Sequence, residues 1–192
     1  VGLFTVAALR RLTDAGRIAC VAKHGRQREE ALRLGADEVV HPKETYTKLP
    51  TMLGTEAYRP ELGKPVVMGG ADRVFECVGA PGTMEDAVRL TRPGGAVALV
   101  GMPGARSSLD LTALWYKEVS LAGTYAYGAE DHLGERTSSF GLALRIAPEI
   151  GLESMVGPRF GLEEYREAIA AARSAGRAGH VKVVFDHRAV SH

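Results

Sequence analysis

The sequence has few cysteines, few aromatic residues and almost no excess charge of either sign. Its 192 residues include two cysteines, and aromatic residues make up 6% of the chain. Because Cys20 and Cys77 both lie inside apolar runs, we expect reduced thiols in a cytoplasmic protein rather than a disulfide framework. Two cysteines also cannot supply the roughly four ligands of a structural zinc site.

Charge of one sign and long apolar runs are also lacking. The 24 lysines and arginines nearly balance the 23 aspartates and glutamates, which gives a formal charge of +1. No net field would attract nucleic acid or an anionic membrane, so neither partner is predicted. No apolar run reaches the roughly 18 to 20 residues of a membrane span. The apolar residues 1–12 do not have the basic start and cleavage site of a signal peptide.

What the sequence does contain is an alternation of short apolar strands with helices. Strands are predicted at 17–22, 38–41, 73–79, 96–100, 118–124 and 180–186, and helices at 3–12, 26–34, 44–53, 84–90, 111–116, 138–147 and 162–175. This alternation predicts the α/β class, a doubly wound parallel sheet of the Rossmann type with helices on both faces. Residues 54–70 are predicted as a loop and 92–95 as a turn.

The carboxyl ends of the predicted strands form the candidate functional edge of the sheet, because ligands of parallel sheets bind there. The rule selects the turns after Val21, Cys77 and Val100. The second and third turns each contain a glycine, Gly79 and Gly101. A glycine at such a place lets the backbone approach a ligand, although it also simply permits a turn. We favour ligand contact because both glycines lie at this edge.

The first residues match the end of a phosphate-binding loop. Val1-Gly2-Leu3 fits the last part of Gly-x-Gly-x-x-Gly, whose final glycine lets a helix pack against the first strand. About 20 residues further on, where this fold contacts the adenosine ribose, the chain reads Ala22-Lys23-His24. A small residue followed by basic ones, in place of Asp or Glu, suits the 2′-phosphate of NADP. The structural alternative is a solvated basic loop.

Seven segments together carry a family resemblance. In chain order they are Val1-Gly2-Leu3, Leu-Gly-Ala-Asp-Glu-Val-Val at 34–40, Val-Phe-Glu-Cys-Val-Gly at 74–79, Leu-Thr-Arg-Pro-Gly-Gly at 90–95, Val-Gly-Met-Pro-Gly at 100–104, Lys-Glu-Val-Ser-Leu-Ala-Gly-Thr at 117–124 and Gly-His-Val-Lys-Val-Val at 179–184. The ordered set resembles the medium-chain dehydrogenase/reductase superfamily, and its zinc-dependent alcohol and threonine dehydrogenase branch in particular. No single segment is specific, but the set covers nearly the whole chain.

The resemblance implies two domains, of which this chain represents one. Residues 1–147 would be a partial dinucleotide-binding Rossmann domain without its first strand, and residues 148–192 a C-terminal segment returning toward a GroES-like catalytic domain. A sheet without its central strand leaves backbone groups unpaired, so we expect a piece of a longer polypeptide. Zinc is expected only in the absent catalytic domain, and no catalytic or metal-binding residue is predicted here.

The resemblance also implies hydride transfer between NAD(P), with a preference for NADP, and an alcohol or carbonyl substrate. Gly2 would lie beneath the pyrophosphate at a helix N-terminus, and Lys23 and His24 would flank the adenosine ribose. A homodimer or homotetramer is implied through the sheet edge near Glu118 to Thr124. The positions expected to contact the cofactor are Val1, Gly2, Leu3, Lys23, His24, Cys77, Val78, Gly79, Val100, Gly101, Met102 and Tyr125.

Three alternatives stay open. A zinc-free quinone or enoyl reductase of the same superfamily shares these segments. An S-adenosylmethionine-dependent methyltransferase shares the Arg-Pro-Gly-Gly turn, but Ala22 stands where such enzymes usually place an acid, and the segments at 100–104 and 117–124 favour a dehydrogenase. A non-catalytic nucleotide-binding module would bind the cofactor without turnover.

Overall fold

The computed structural model describes residues 1–189, which form helices alternating with short strands. The helices are α1 (Gly2–Leu12), α2 (Gly25–Leu34), α3 (Thr45–Met52), α4 (Pro81–Leu90), α5 (Thr112–Tyr116), α6 (Ser139–Ile150) and α7 (Tyr165–Ser174). The strands are β1 (Ala19–Val21), β2 (Glu38–Val40), β3 (Ala57–Tyr58), β4 (Val66–Val67), β5 (Ala71–Glu76), β6 (Thr91–Leu99), β7 (Ser120–Gly123), β8 (Ala129–His132), β9 (Glu135–Ser138), β10 (Val156–Phe160) and β11 (Lys182–Phe185). In this described part, every helix is too short or too polar to cross a membrane.

The predicted α/β class is confirmed, and the chain divides into two compact units. Unit 1 contains residues 1–5 and 40–127, and unit 2 contains residues 6–39 and the described residues from 128 onward. A domain boundary after residue 147 stays a prediction. Within residues 1–189 the strands are hydrogen-bonded in one three-stranded sheet and four two-stranded sheets.

Unit 1 is built on three parallel strands in the order β5-β6-β7. Helix α4 connects β5 to β6 and begins at Pro81, whose fixed φ and missing N–H suit the first helical position. Its buried Ala87 and Val88 belong to the same core cluster as Val97 of β6. Full burial of a valine side chain such as that of Val88 or Val97 contributes roughly 1.5 to 3 kcal/mol. This packing fixes the sheet so that the strands end at a common edge.

Residues 92–95, predicted as a turn between a helix and a strand, lie inside β6 as a bulge. Thr91 pairs with Ala71 and Ala96 pairs with Arg73, so the four intervening residues of β6 face Asp72 alone. Pro93 has no N–H to donate to the ladder. The chain therefore loops out at this point, Gly94 adopts a φ of 66°, and Arg92 Nε donates to Asp72 Oδ1 at 2.6 Å.

Unit 2 contains the parallel pair β10–β11 and the antiparallel hairpin β8–β9. The sequence patterns do not predict β10 or the hairpins β3–β4 and β8–β9. The hairpin β8–β9 is polar and exposed on nearly every residue, so it shows no apolar alternation from which a strand is recognised.

The Leu-Gly-Ala-Asp segment ends α2 and anchors it within unit 2. Gly35 has a φ of 112°, which glycine adopts without a steric penalty, and a Cβ there would lie 2.6 Å from Arg10 Cγ. Asp37 Oδ2 accepts hydrogen bonds from the Ile18 N–H and from Arg10 Nη2, each at 2.7 Å. The Ile18 hydrogen bond, together with Arg10, lowers the pKa of Asp37 below its ordinary value.

Candidate functional site

The turns that follow β5 and β6 in unit 1 are joined through the backbone. The N–H groups of Val100 and Gly101 both donate to the carbonyl oxygen of Glu76, each at 2.8 Å. The two turns therefore leave the sheet side by side. We call the turns at 76–79 and 100–102, with the first turn of α1, the rim.

Gly79 and Gly101 are required by the contact between these two turns. Gly79 has a φ of 80°, and a Cβ there would lie 2.5 Å from the carbonyl carbon of Met102. A Cβ on Gly101 would lie 2.5 Å from the backbone nitrogen of Val78. In the structure these glycines allow the two turns to approach each other, and contact of either glycine with a ligand stays a prediction.

Glu76, to which the sequence analysis gives no role, holds the turn after β5. Its side chain is 4% exposed. The carboxylate accepts hydrogen bonds from the N–H groups of Val78 and Gly79 at 2.9 Å and from Thr83 Oγ1 at 2.7 Å. Thr83 lies in the first turn of α4, where the helix dipole favours negative charge. The available sequence signal was a strand-terminal carboxylate three residues before a glycine turn.

The first turn of α1 lies against the end of β5. A Cβ on Gly2 would lie 3.5 Å from Cys77 Cβ, and Thr5 Oγ1 lies 3.6 Å from Cys77 Sγ. Burial raises the pKa of the Cys77 thiol, so the thiol is protonated at neutral pH. Cys77 is therefore a packing residue between helix and strand, and it is not activated as a nucleophile.

Of the remaining predicted positions in unit 1, Leu3 and Val100 are half-buried and the other four are exposed. Val1, Val78 and Met102 are exposed, and Tyr125 is 98% exposed. The N–H of Thr124, just before Tyr125, donates to the carbonyl of Leu99 at 3.0 Å. The structure thus brings together the predicted residues from α1 and from the turns after β5 and β6. Tyr125, which follows β7, extends into solvent.

Lys23 and His24 belong to unit 2, where they follow β1. Ala22 is buried and Lys23 is exposed. His24 precedes α2, and a Cβ on Gly176 would lie 2.6 Å from His24 Cδ2, so the ring packs against the chain that follows α7. The nearby Arg26 is committed elsewhere, since its guanidinium lies 2.6 Å from Glu30 Oε1 and donates to the Ser154 carbonyl at 2.9 Å.

Lys117, from the Lys-Glu segment, is buried in unit 1 with an exposure of 1%. Its Nζ donates to the carbonyls of Val67 at 2.8 Å and Arg89 at 3.0 Å. The Arg89 carbonyl is one of the last in α4, so the lysine satisfies the C-terminal end of that helix. Burial, with a smaller contribution from the Arg89 charge, lowers the pKa of Lys117 to about 8.

No group of three or more His, Cys, Asp and Glu side chains in residues 1–189 is arranged to hold a metal ion.

The fold is a Rossmann-like α/β fold, and proteins of this class bind their ligands at the carboxyl ends of parallel strands. Residues 1–140 match the family of zinc-binding dehydrogenases. The chain belongs to this family, in the cofactor-binding region of the zinc-dependent medium-chain dehydrogenase/reductase superfamily. The predicted resemblance is confirmed, and the methyltransferase alternative is not supported.

Relatives match along most of the chain. Sorbitol dehydrogenase of Arabidopsis thaliana is 28% identical over 186 residues, covering 97% of this chain and 47% of the relative. A zinc-binding dehydrogenase homologue of Sinorhizobium meliloti bound to NADP superposes with a TM-score of 0.63 at 23% identity. The match covers 96% of this chain and 49% of that protein. An Escherichia coli short chain alcohol dehydrogenase in complex with NADH superposes with a TM-score of 0.64 at 17% identity. The match covers 94% of this chain and 48% of that protein. The chain spans about half the length of the curated relatives it matches.

Proposed function

We propose that this chain is the cofactor-binding part of an alcohol dehydrogenase-like oxidoreductase that transfers a hydride between NAD(P) and an alcohol or carbonyl substrate. The observation that carries the proposal is the rim of unit 1, where the amino end of α1 meets the turn after β5. A helix start beside the carboxyl end of a parallel strand is where this class of fold receives a dinucleotide.

The residues of the rim fit a dinucleotide. The N–H groups of Gly2 and Leu3 are in the first turn of α1, where no carbonyl of the helix can accept their hydrogen bonds, and that turn contains no acidic residue. The neighbouring Cys77 thiol is neutral, so it does not repel an anion. The bound cofactor supplies the hydride chemistry, and the residues of the chain bind and orient it.

The turn after β1 in unit 2 favours NADP over NAD. Ala22 leaves that turn without the carboxylate that would accept hydrogen bonds from the ribose hydroxyls, and the exposed Lys23 supplies a positive charge. A carboxylate would repel a 2′-phosphate, whereas an ammonium group attracts it. The NADP-bound and NADH-bound relatives show that both cofactors occur among proteins of this fold.

Isothermal titration of the purified protein with NADP⁺, NAD⁺ and S-adenosylmethionine tests the proposal. We expect both dinucleotides to bind, NADP⁺ more tightly, and S-adenosylmethionine not to bind. Turnover of polyols and secondary alcohols, followed by cofactor reduction, tests the reaction. Failure of both dinucleotides to bind at millimolar concentration would contradict the proposal, and binding without any turnover would favour a nucleotide-binding module.

We also propose that two copies associate through β7. In the described part of the chain, β7 is hydrogen-bonded only to β6, and all four of its residues are exposed. An open strand edge offers unpaired N–H and C=O groups to a second strand. Sedimentation velocity is expected to show a dimer or a tetramer. The N–H of Thr124 donates to Leu99 of β6, and N–H groups alternate in direction along a strand, so the N–H of Gly123 lies on the open edge. Gly123→Pro, which removes that N–H, is expected to shift the association toward the monomer. A wild-type monomer at micromolar concentration would contradict this.

A further inference from the structure

Two arginines of unit 2 line an open depression without a carboxylate partner. Ala170, Arg173, Ser174 and Arg177 line a volume of about 430 Å³ that is largely open to solvent. Within residues 1–189, neither arginine side chain has an ion pair or a hydrogen bond, whereas Arg33 of the same unit lies 2.7 Å from Glu30 Oε2. Two neighbouring guanidinium groups repel each other unless an anion lies between them.

The same surface includes the turn after β1. Gly176 lies between Ser174 and Arg177 in the chain, and its backbone is close enough to the His24 ring that a Cβ would lie 2.8 Å from His24 Nε2. The glycine therefore allows the basic turn at 23–24 to pack against the segment that carries Arg177. We call Lys23, His24, Arg173 and Arg177 the basic surface.

The amino end of α2 adds to this surface. His24 is the residue before the helix, and it makes no side-chain capping hydrogen bond, so the helix start keeps N–H groups available to a ligand. The first turn of α2 contains no acidic residue. A helix start, an exposed lysine and two unpaired arginines all favour a doubly charged anion.

We propose that Arg177, assisted by Arg173, binds the 2′-phosphate of NADP and is a specificity-determining residue for NADP. A guanidinium group holds a phosphate through two parallel hydrogen bonds, which an ammonium group cannot do. The segment after α7, and not only the turn after β1, then selects the cofactor. This inference rests on the proposed binding of NAD(P).

Titrations of Arg177→Ala and Arg177→Lys with NADP⁺ and NAD⁺ test the inference, with Arg166→Ala as the matched control. Arg166 is an exposed arginine of α7, the helix that precedes Arg177, and its guanidinium lies 5.7 Å from the centre of the Tyr165 ring. We expect Arg177→Ala to weaken NADP⁺ binding about tenfold and NAD⁺ binding less than about twofold. Arg177→Lys is expected to recover part of the loss, and Arg166→Ala to leave both affinities unchanged.

The ligand source is separated by two further probes, 2′-phosphoadenosine 5′-phosphate and inorganic phosphate. We expect the first to compete with NADP⁺ and to lose affinity in Arg177→Ala, and inorganic phosphate to compete weakly. An unchanged ratio of NADP⁺ to NAD⁺ affinity in Arg177→Ala would overturn the inference while leaving the proposed function intact. Equal wild-type affinities for the two dinucleotides would overturn it as well, whereas no binding of either would refute the proposed function first.

Discussion

The rim of unit 1 and the basic surface of unit 2 use their distinctive residues in opposite ways. At the rim, Glu76 accepts hydrogen bonds from two backbone N–H groups and a hydroxyl, and two glycines interlock. On the basic surface, Arg173 and Arg177 have no partner within residues 1–189. The difference teaches that the rim is fixed by contacts within the chain, whereas the arginines of the basic surface are not fixed by any ion pair within residues 1–189, as the proposed binding of an anion requires.

The largest expected effect is on the rim. Gly101→Ala places a Cβ 2.5 Å from backbone atoms of Val78, and backbone cannot move aside as a flexible side chain can. We expect a loss of about 3 kcal/mol in the free energy of unfolding, measured by urea denaturation, together with weaker dinucleotide binding. Gly104→Ala is the matched control, because no atom lies within 4 Å of the added Cβ. Equal stability of the two variants would show that the turns are not interlocked.

The second effect concerns the buried carboxylate. Glu76→Gln replaces one acceptor oxygen with an amide group that faces N–H donors, so at least one buried donor loses its partner. We expect a loss of about 2 kcal/mol in the free energy of unfolding. Glu61→Gln, at an exposed position, is the control. A loss no greater than that of the control would mean that Glu76 does not hold the turn.

The third effect depends on pH. In the folded protein the pKa of Lys117 is lowered to about 8 from 10.5, so the unfolded chain binds more protons between these values. The stability of the wild type relative to Lys117→Met should therefore rise with pH above about 8, by about 1 kcal/mol at pH 9, and level off above pH 10.5. Lys43→Met, at an exposed position, is the control. Parallel stability curves from pH 7 to pH 10 would contradict this account.

The fourth effect concerns unit 2, where it tests the stabilisation that Asp37 provides through its hydrogen bonds to Ile18 and Arg10. Asp37→Asn removes the carboxylate that binds the Ile18 N–H and Arg10, and we expect a loss of about 1 kcal/mol at neutral pH. Because the folded-state pKa of Asp37 is lowered, this contribution should disappear as the pH falls below the ordinary aspartate value. Thermal unfolding at both pH values, with Asp14→Asn as the control, measures it. A loss independent of pH would exclude the charge as its cause.

The smallest effect is on the basic surface. Arg177→Ala and Lys23→Ala are expected to change the free energy of unfolding by less than about 0.5 kcal/mol, because neither side chain has an ion pair within residues 1–189. The same variants should weaken NADP⁺ binding. A large loss of stability in either variant would show that these residues stabilise the fold as those of the rim do. It would contradict the contrast between the rim and the basic surface.

Several features of the candidate site could be predicted from the sequence, and others could not. The turns after β5 and β6 follow from short apolar runs ending in glycine, which is a local pattern. The partner of each glycine is the other turn, more than 20 residues away, and no local pattern specifies that contact. Glu76 and Lys117 were missed for the same reason, since a charged residue next to a strand predicts solvent exposure until its distant hydrogen-bond partners are known.

The sequence by itself determined the order of helices and strands, because the spacing of apolar residues, glycines and prolines acts within one element at a time. It also determined the family, since the seven segments keep their order along the chain. Only the tertiary structure showed that residues of these segments hold distant parts of the chain together. Gly35 packs on Arg10, and Lys117 binds the end of α4. It also decided which arginines are paired. Both outcomes depend on the desolvation of charges and backbone groups, which only packing between distant segments produces.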